Sequence, residues 1–216
     1  ATLTSTATGG GTITLSGGNT STTLASGTVV PTGYAWNTTT ALPSGVVFGS
    51  DSTSSRDINI KLYSGSGDVV VRGKSTSVWS TSSYSSGITS MEGLIVDAGQ
   101  TGNITFVGDS TGSASYGSGI YLGFHASAAG TAATLLRTNN GNIVLTGTST
   151  GASENRGMFL RGGTTATKQI TAEATGTGGL TINGSGSLYD LMFYGSNFLA
   201  ASGAIQHINA SLAANP

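Results

Sequence analysis

The sequence has no cysteine and very little charge. Without cysteine, the chain can form neither a disulfide nor a thiolate metal site. Charged residues make up 8% of its 216 residues, whereas about 25% is ordinary for a globular domain. The formal net charge is −1. Proteins that bind nucleic acids carry basic patches that neutralise phosphates, so we expect no nucleic-acid partner.

Long hydrophobic runs are also missing. No apolar stretch approaches the roughly 18 residues that a membrane-spanning helix needs, so we expect no membrane span. The opening residues, ATLTST, have none of the features of a signal peptide, and we interpret the chain as a mature segment or an excised piece. Hydrophobic residues still make up 37% of the chain. Because disorder goes with few apolar residues and high net charge, we expect an ordered fold.

A short pattern recurs through this glycine-rich chain. The pattern is G-x-[IVL]-x-[IVLF]-x-G, and it occurs as GTITLSG from Gly11, GDVVVRG from Gly67, GNITFVG from Gly102, GNIVLTG from Gly141 and GGLTING from Gly178. Successive copies are separated by 56, 35, 39 and 37 residues. Periods of this size indicate a repeat architecture.

Two more apolar runs follow each copy. The second set is VVF from Val46, ITSM from Ile88, IYL from Ile120, MFL from Met158 and LMF from Leu191. The third set is INIKL from Ile58, LIV from Leu94, TLLR from Thr134, QITAE from Gln169 and IQHI from Ile205. The opening ATLT resembles a further third-set run. We therefore expect three runs in each repeat.

These runs have the sequence features of β-strands. They are short, rich in β-branched and aromatic residues, and bounded by Gly, Asn, Asp, Ser or Thr. The prediction is an all-β fold, a right-handed parallel β-helix of about five coils with three short strands each. Long variable loops join the first and second strands, and residues 1–216 form one domain of a larger repetitive protein. A propeller or a sandwich is the alternative, but the Asn-Gly and Asp-Gly hairpin signals that it needs are scarce.

Alternation along the strands predicts which side chains face the core. The predicted inward pairs of the first set are Ile13/Leu15, Val69/Val71, Ile104/Phe106, Ile143/Leu145 and Leu180/Ile182, with Thr14, Val70, Thr105, Val144 and Thr181 on an exposed β surface. Those of the second set are Val46/Phe48, Ile120/Leu122, Met158/Leu160 and Leu191/Phe193. This leaves Val47, Tyr121, Phe159 and Met192 as an outward apolar stripe. Such a stripe needs a cover. We expect the chain itself over part of it and a lateral protein contact around Phe159 and Met192, where replacement by Thr should leave the fold intact.

Residue types that carry chemistry are few. Ser110 and Ser149 match the G-x-S-x-G pattern of a hydrolase nucleophile elbow, but they recur at the same place in consecutive repeats and indicate a structural rung. The two histidines, His125 and His207, stand far apart, without metal-ligand spacing. The nearest approach to an acidic cluster is Asp51, Asp57 and Asp68. We predict no catalytic residue, no metal and no cofactor, and hence not an enzyme.

Aromatic residues gather in the first two long loops. These loops contain Tyr34, Trp36, Trp79 and Tyr84. They could anchor a glycan or protein surface, or fold down as lids over a sheet. Together with Tyr121, Phe159 and Met192, they form the candidate contact surface.

The repeats GNIVLTGTSTG, GMFLRGG, KQITAEATG and GGLTINGSGS resemble the shaft of filamentous haemagglutinin-like, two-partner-secretion exoproteins. The resemblance covers nearly the whole chain, and it implies a secreted or cell-surface adhesin of a Gram-negative bacterium. The N-P-N-G-type motif of the secretion domain is absent, which is consistent with a shaft segment.

The leading functional prediction is a structural or adhesive module, an adhesin shaft or filament building block. Its expected partners are copies of itself or neighbouring segments, by end-to-end stacking or lateral contact, and host or matrix glycans and proteins. The alternatives are a glycan-active β-helix enzyme or a carbohydrate-binding module. Ice binding would need regular outward T-x-T ladders, and the pair Thr12/Thr14 is not repeated.

Overall fold

The structure of the chain is a computed structural model. It describes residues 2–5, 9–23, 27, 29–37, 44–49, 59–76, 85–90, 93–111, 117–123, 133–151, 155–162, 170–194, 196–200 and 205–208. Regular structure in these ranges is entirely β-strand. Accordingly, this part of the chain contains no helix that could cross a membrane.

Three sheets of parallel strands contain the three sets of runs. Sheet I holds β2 (Ile13–Leu15), β8 (Val69–Ser75), β11 (Ile104–Ser110), β14 (Ile143–Ser149), β17 (Leu180–Ser185) and β20 (Ile205–Ile208). Sheet II holds β6 (Val46–Phe48), β9 (Ser85–Ser90), β12 (Gly117–Gly123), β15 (Arg156–Arg161) and β18 (Tyr189–Tyr194). Sheet III holds β1 (Thr2–Thr4), β7 (Asn59–Tyr63), β10 (Gly93–Asp97), β13 (Thr134–Thr138), β16 (Ile170–Ala174) and β19 (Ser196–Ala200). Each repeat visits the sheets in the order I, II, III. The prediction of an all-β chain of parallel strands is confirmed.

The long segment predicted between the first and second strands of the first repeat contains a hairpin and a further strand, which the sequence did not predict. After β2, the chain forms an antiparallel hairpin of β3 (Gly17–Thr23) and β4 (Val29–Gly33). It then returns to sheet I as β5 (Ala35–Asn37). Strand β2 pairs with the first half of β8 and β5 with the second half. The hairpin therefore interrupts one sheet I strand and leaves the rest of the sheet in register.

The last strands also differ from the prediction. The run IQHI was assigned to the third set, but β20 pairs with β17 in sheet I. The third-set strand of that repeat is β19, which pairs with β16 in sheet III. The assignment was wrong because only residue 195 separates β18 from β19, whereas eight to ten residues separate the corresponding strands of the first, third and fourth repeats.

One hydrophobic core joins the three sheets. The predicted inward residues of the first set all belong to it, except Leu15, which is partly buried against it. In the second set, Val46 and Leu191 pack against the core from partly buried positions, and Phe193 is 37% exposed. The alternation therefore identified the core-facing positions. Val70 is an exception to the predicted exposed surface, since it is buried between its sheet neighbours Thr14 and Thr105.

The glycines of the recurring pattern lie where backbones touch. The first glycines stack from repeat to repeat, and a Cβ on Gly141 would lie 2.6 Å from the carbonyl carbon of Gly102. Three of the second glycines, Gly73, Gly108 and Gly147, face glycines of sheet II, so that a Cβ on Gly108 would lie 2.6 Å from the carbonyl carbon of Gly119. Real Cβ atoms do not approach this closely. The recurring pattern therefore reflects two lines of close backbone contact, one just before the sheet I strands and one within their second halves.

A ladder of amide and carboxylate side chains joins the turns before the sheet I strands. Asp68 Oδ1 accepts the backbone N–H of Asn103 at 2.7 Å, and Asn103 Oδ1 accepts that of Asn142 at 2.8 Å. Asn142 Oδ1 in turn accepts the N–H of Gly179 at 2.9 Å. Each side chain thus satisfies a backbone donor of the following repeat, which fixes how the repeats stack.

Asn142 gives a direct test of this ladder. Replacing Asn142 by Ala should lower the free energy of unfolding by about 1 kcal/mol, because the N–H of Gly179 loses its acceptor. Replacing it by Asp should cost much less, since Asp68 already fills the equivalent position through a carboxylate oxygen. Urea unfolding followed by circular dichroism measures both. Equal losses in the two variants would mean that the accepted hydrogen bond is not what stabilises this turn.

Candidate interaction surfaces

Trp36 lies on the outer face of sheet I. Because β5 pairs with the end of β8, Trp36 stands beside Lys74 in the sheet. Lys74 is followed in the same row by Asp109, and the row continues through Thr148 to Ser185. The hairpin insertion therefore places an aromatic side chain at the head of a polar row that crosses five strands.

The Trp36 side chain is 66% exposed, and its position is fixed by a hydrogen bond. Its indole Nε1 donates to Thr76 Oγ1 at 3.2 Å. Lys74 Nζ forms an ion pair with Asp109 Oδ2 at 2.7 Å and lies 6.0 Å from the centre of the Tyr34 ring. An indole this exposed does not close over a core, so the lid interpretation is wrong for Trp36. Trp79 and Tyr84 lie outside the described residues.

The predicted outward stripe exists as a row on sheet II. Val47, Thr89, Tyr121, Phe159 and Met192 are neighbours in register. Tyr121 is fully buried and Phe159 is 5% exposed, with their ring centres 5.2 Å apart. Both side chains are therefore already shielded from water within the single chain, without a partner molecule.

Arg156 contributes to the surroundings of this row. Its guanidinium carbon lies 4.9 Å from the centre of the Phe159 ring, and its Nε donates to Met192 Sδ at 3.2 Å. With Phe159 buried, little of its surface is left for the lateral contact that the sequence suggested there. Met192 keeps a partly exposed side chain.

Sheet III carries a polar groove that the sequence did not predict. Its volume is about 380 Å³, and its charged lining residues Asp97, Arg137 and Glu173 are neighbours on β10, β13 and β16. Arg137 and Asp97 form an ion pair, and this hydrogen bond raises the pKa of the guanidinium above its usual value. The amides of Asn139 and Gln100 bond to each other at 2.6 Å. Asp97, Arg137 and Glu173 are some 40 positions apart in the sequence. Predicting that they are neighbours would have required the exact register of the third-set strands.

Ser110 and Ser149 are buried in strands and not exposed on a turn. They end β11 and β14, and they stand in register with Ser75. Ser110 Oγ donates to the carbonyl oxygen of Ser85, and the hydroxyls of Ser75 and Ser85 lie 2.7 Å apart. This is a buried polar column at the junction of sheets I and II. The three serines therefore occupy the same structural position in consecutive repeats, as the sequence analysis predicted for Ser110 and Ser149.

The other residues considered for chemistry are not brought together. Asp68 lies in the turn ladder described above. His207 lies in β20, where its Cα is opposite that of Ile182 in β17. His125, Asp51 and Asp57 lie outside the described residues. Within the described ranges, no three His, Cys, Asp or Glu side chains could hold a metal ion together.

The two ends of the stack of strands expose core-facing positions. Leu3 in β1 pairs with the buried Leu62, yet it is 47% exposed. Phe193 in β18 pairs with the buried Leu160 and is 37% exposed. Among the described strands, β1 and β19 have one neighbour each in sheet III, as β6 and β18 do in sheet II. Both ends therefore combine strand edges with apolar surface.

Comparisons with protein-family models, curated proteins and solved structures find no match to this chain. The resemblance to filamentous haemagglutinin-like exoproteins therefore rests on the strand-and-turn motifs of the sequence alone.

Proposed function

We propose that the three sheets wind as a right-handed parallel β-helix and that this β-helix is a shaft module. In this proposal, the module is a building block of a secreted or cell-surface filament or adhesin, and its ends stack on further segments or copies of itself. The module contributes length and cohesion, and it has no catalytic role. The observation that carries the proposal is the exposure of core-facing Leu3 and Phe193 at opposite ends.

The β-helical part of the proposal is supported by the path of the chain. The sheets are visited in a constant order, their strands are parallel, and one core contains residues of all three. Connections between parallel strands are almost always right-handed, because a right-twisted strand returns to its sheet most readily that way.

The polarity of the strands supports end-to-end stacking. Since the strands of each sheet are parallel, the edge strands β1 and β19 at the two ends of sheet III run in the same direction. A second copy can therefore continue a sheet by parallel pairing, without inversion. Unpaired edges of this kind are templates for association unless they are covered. Stacking would also remove Leu3 and Phe193 from water, as their equivalents Leu62 and Leu160 already are.

A glycan-active enzyme is the less favoured alternative. Asp68 bonds to Asn103, Asp97 to Arg137 and Asp109 to Lys74. In each case the carboxylate joins one repeat to the next, which is a structural use. The described acidic residues lie on all three sheets and in a turn. Only Asp97 and Glu173 share a groove, where Arg137 stands between them.

End-to-end stacking can be tested by introducing negative charges at the two ends of the stack of strands. We expect the unmodified chain to form rods whose length grows with protein concentration, seen by sedimentation velocity and negative-stain electron microscopy. A variant with Leu3→Asp and Phe193→Asp should remain monomeric, because a buried unpaired carboxylate opposes burial of either end.

The matched control is Val29→Asp, which adds one carboxylate of the same kind at an exposed residue of the hairpin strand β4. This variant should assemble as the unmodified chain does. A chain that stays monomeric at the highest attainable concentration contradicts the stacking proposal. So does assembly that the paired end substitutions leave unchanged.

A further inference from the structure

We propose that the outer face of sheet I around Trp36 binds a neutral saccharide chain. One sugar ring stacks on the Trp36 indole, and hydroxyls of the adjoining sugars bond to the Lys74–Asp109 pair and to the hydroxyl row beyond it. This inference goes beyond the shaft function and does not depend on stacking.

Trp36 has the properties of a preformed platform. Its side chain is largely exposed, but the hydrogen bond from Nε1 to Thr76 restricts rotation of the ring. The backbone of Trp36 is held in the sheet beside Lys74. A ring that is already fixed loses little conformational entropy when a ligand binds, and this favours affinity. The apolar C–H face of a pyranose is the part of a sugar that suits an aromatic ring.

The polar partners of the platform lie in a straight row. Lys74, Asp109 and Thr148 are adjacent residues on three parallel strands, and such strands are about 4.8 Å apart. The Lys74 ammonium has three donors, of which the bond to Asp109 uses one. Asp109 retains free acceptor capacity in its carboxylate. Donors and acceptors therefore alternate along the direction in which an extended chain of sugars would lie.

The charge and polarity of this face select the ligand class. Lys74 and Asp109 neutralise each other at 2.7 Å, so the pair gives an anionic polymer little net attraction. Among the described residues of this face, the third charged one is Arg72, which is half-buried two positions before Lys74. A protein partner would seek a wider apolar patch, but the nearby Val70 is buried. A polyhydroxylated neutral chain fits one exposed ring with mixed donors and acceptors beside it.

The experiment is affinity electrophoresis of the full chain in gels containing hydroxyethyl cellulose, xylan or galactomannan, with heparin as the anionic comparison. We expect at least one neutral polymer to retard the protein. Trp36→Ala should weaken binding at least tenfold, and Asp109→Asn should weaken it less. Val29→Ala removes another exposed apolar side chain and should have no effect. Unchanged urea midpoints show that the variants remain folded.

A second readout uses fluorescence. In a Trp79→Phe background, Trp36 is the remaining indole, and stacking of a sugar should shift its emission to shorter wavelength. Both measurements are repeated on the Leu3→Asp, Phe193→Asp variant, so that a failure of stacking and a failure of saccharide binding are seen separately. Retardation by none of the neutral polymers, by heparin alone, or equally in the Trp36→Ala variant overturns the proposal.

Discussion

Replacing Gly108 by Ala should lower the free energy of unfolding by about 3 kcal/mol or more, at the upper end of what overpacking causes. Gly108 lies where sheets I and II meet, and a Cβ there would overlap the backbone of Gly119 and lie 2.8 Å from Ile120 Cγ1. Backbone cannot move aside as the end of a flexible side chain can. The neighbouring repeats make the same contact, so a local shift would be transmitted to them. Urea unfolding followed by far-ultraviolet circular dichroism measures the loss.

Gly27 provides the matched control. Its backbone has a φ of +82°, but a Cβ there would meet nothing within 4 Å. Gly27→Ala should therefore cost only the strain of a left-handed residue, about 1 kcal/mol. If the two alanine variants lose equal stability, steric contact between the sheets is not the reason for glycine at position 108.

The sequence predicted the repeated parts of the fold because the same physical constraint acts on every repeat. Side chains of the first set must alternate between core and surface, and glycines must stand where backbones touch. Ile104, for example, pairs with Val69 on one side and Ile143 on the other. The spacings of 35 and 39 residues between these positions differ only in the loops. A pattern repeated five times can be recognised even when its spacing varies.

The parts that sequence reasoning missed are those that occur once. The hairpin of β3 and β4 lies within a single insertion, with no other copy to compare. The strand β19 follows β18 so closely that its sequence reads as an extension of the second-set run. Local composition alone does not distinguish a strand that continues from a strand that turns into the next sheet.

The candidate site was predicted in part. Trp36 was named for its aromatic ring, but its partners Lys74 and Asp109 become neighbours only through the pairing of β5 with β8 and of β8 with β11. The alternation placed Tyr121 and Phe159 on the outer face of sheet II. It could not show that this face is covered, because alternation tells which way a side chain points and says nothing about what lies over it.

Phe159 shows the energetic consequence of that cover. We expect Phe159→Ala to lower the free energy of unfolding by about 3 kcal/mol, as for a buried phenylalanine in a core. Although Phe159 faces away from the core, it is 5% exposed, and it loses contact with the Tyr121 ring and the Arg156 guanidinium when truncated. The sequence-based expectation that Phe159 and Met192 could be replaced by Thr with little effect is therefore revised for Phe159.

Phe193 is the informative comparison, because it faces the core but is exposed, whereas Phe159 faces away from the core but is buried. It occupies a core-facing position in sheet II, but it is 37% exposed at the end of the sheet. With only part of its apolar area removed from water, Phe193→Ala should cost roughly 1 kcal/mol in the monomer. Urea midpoints for the two variants, measured in dilute solution where copies do not stack, decide the order. A larger loss at Phe193 than at Phe159 would mean that the direction of a side chain toward the shared core governs its contribution. The opposite order would mean that its removal from water does, whichever face of the sheet it occupies.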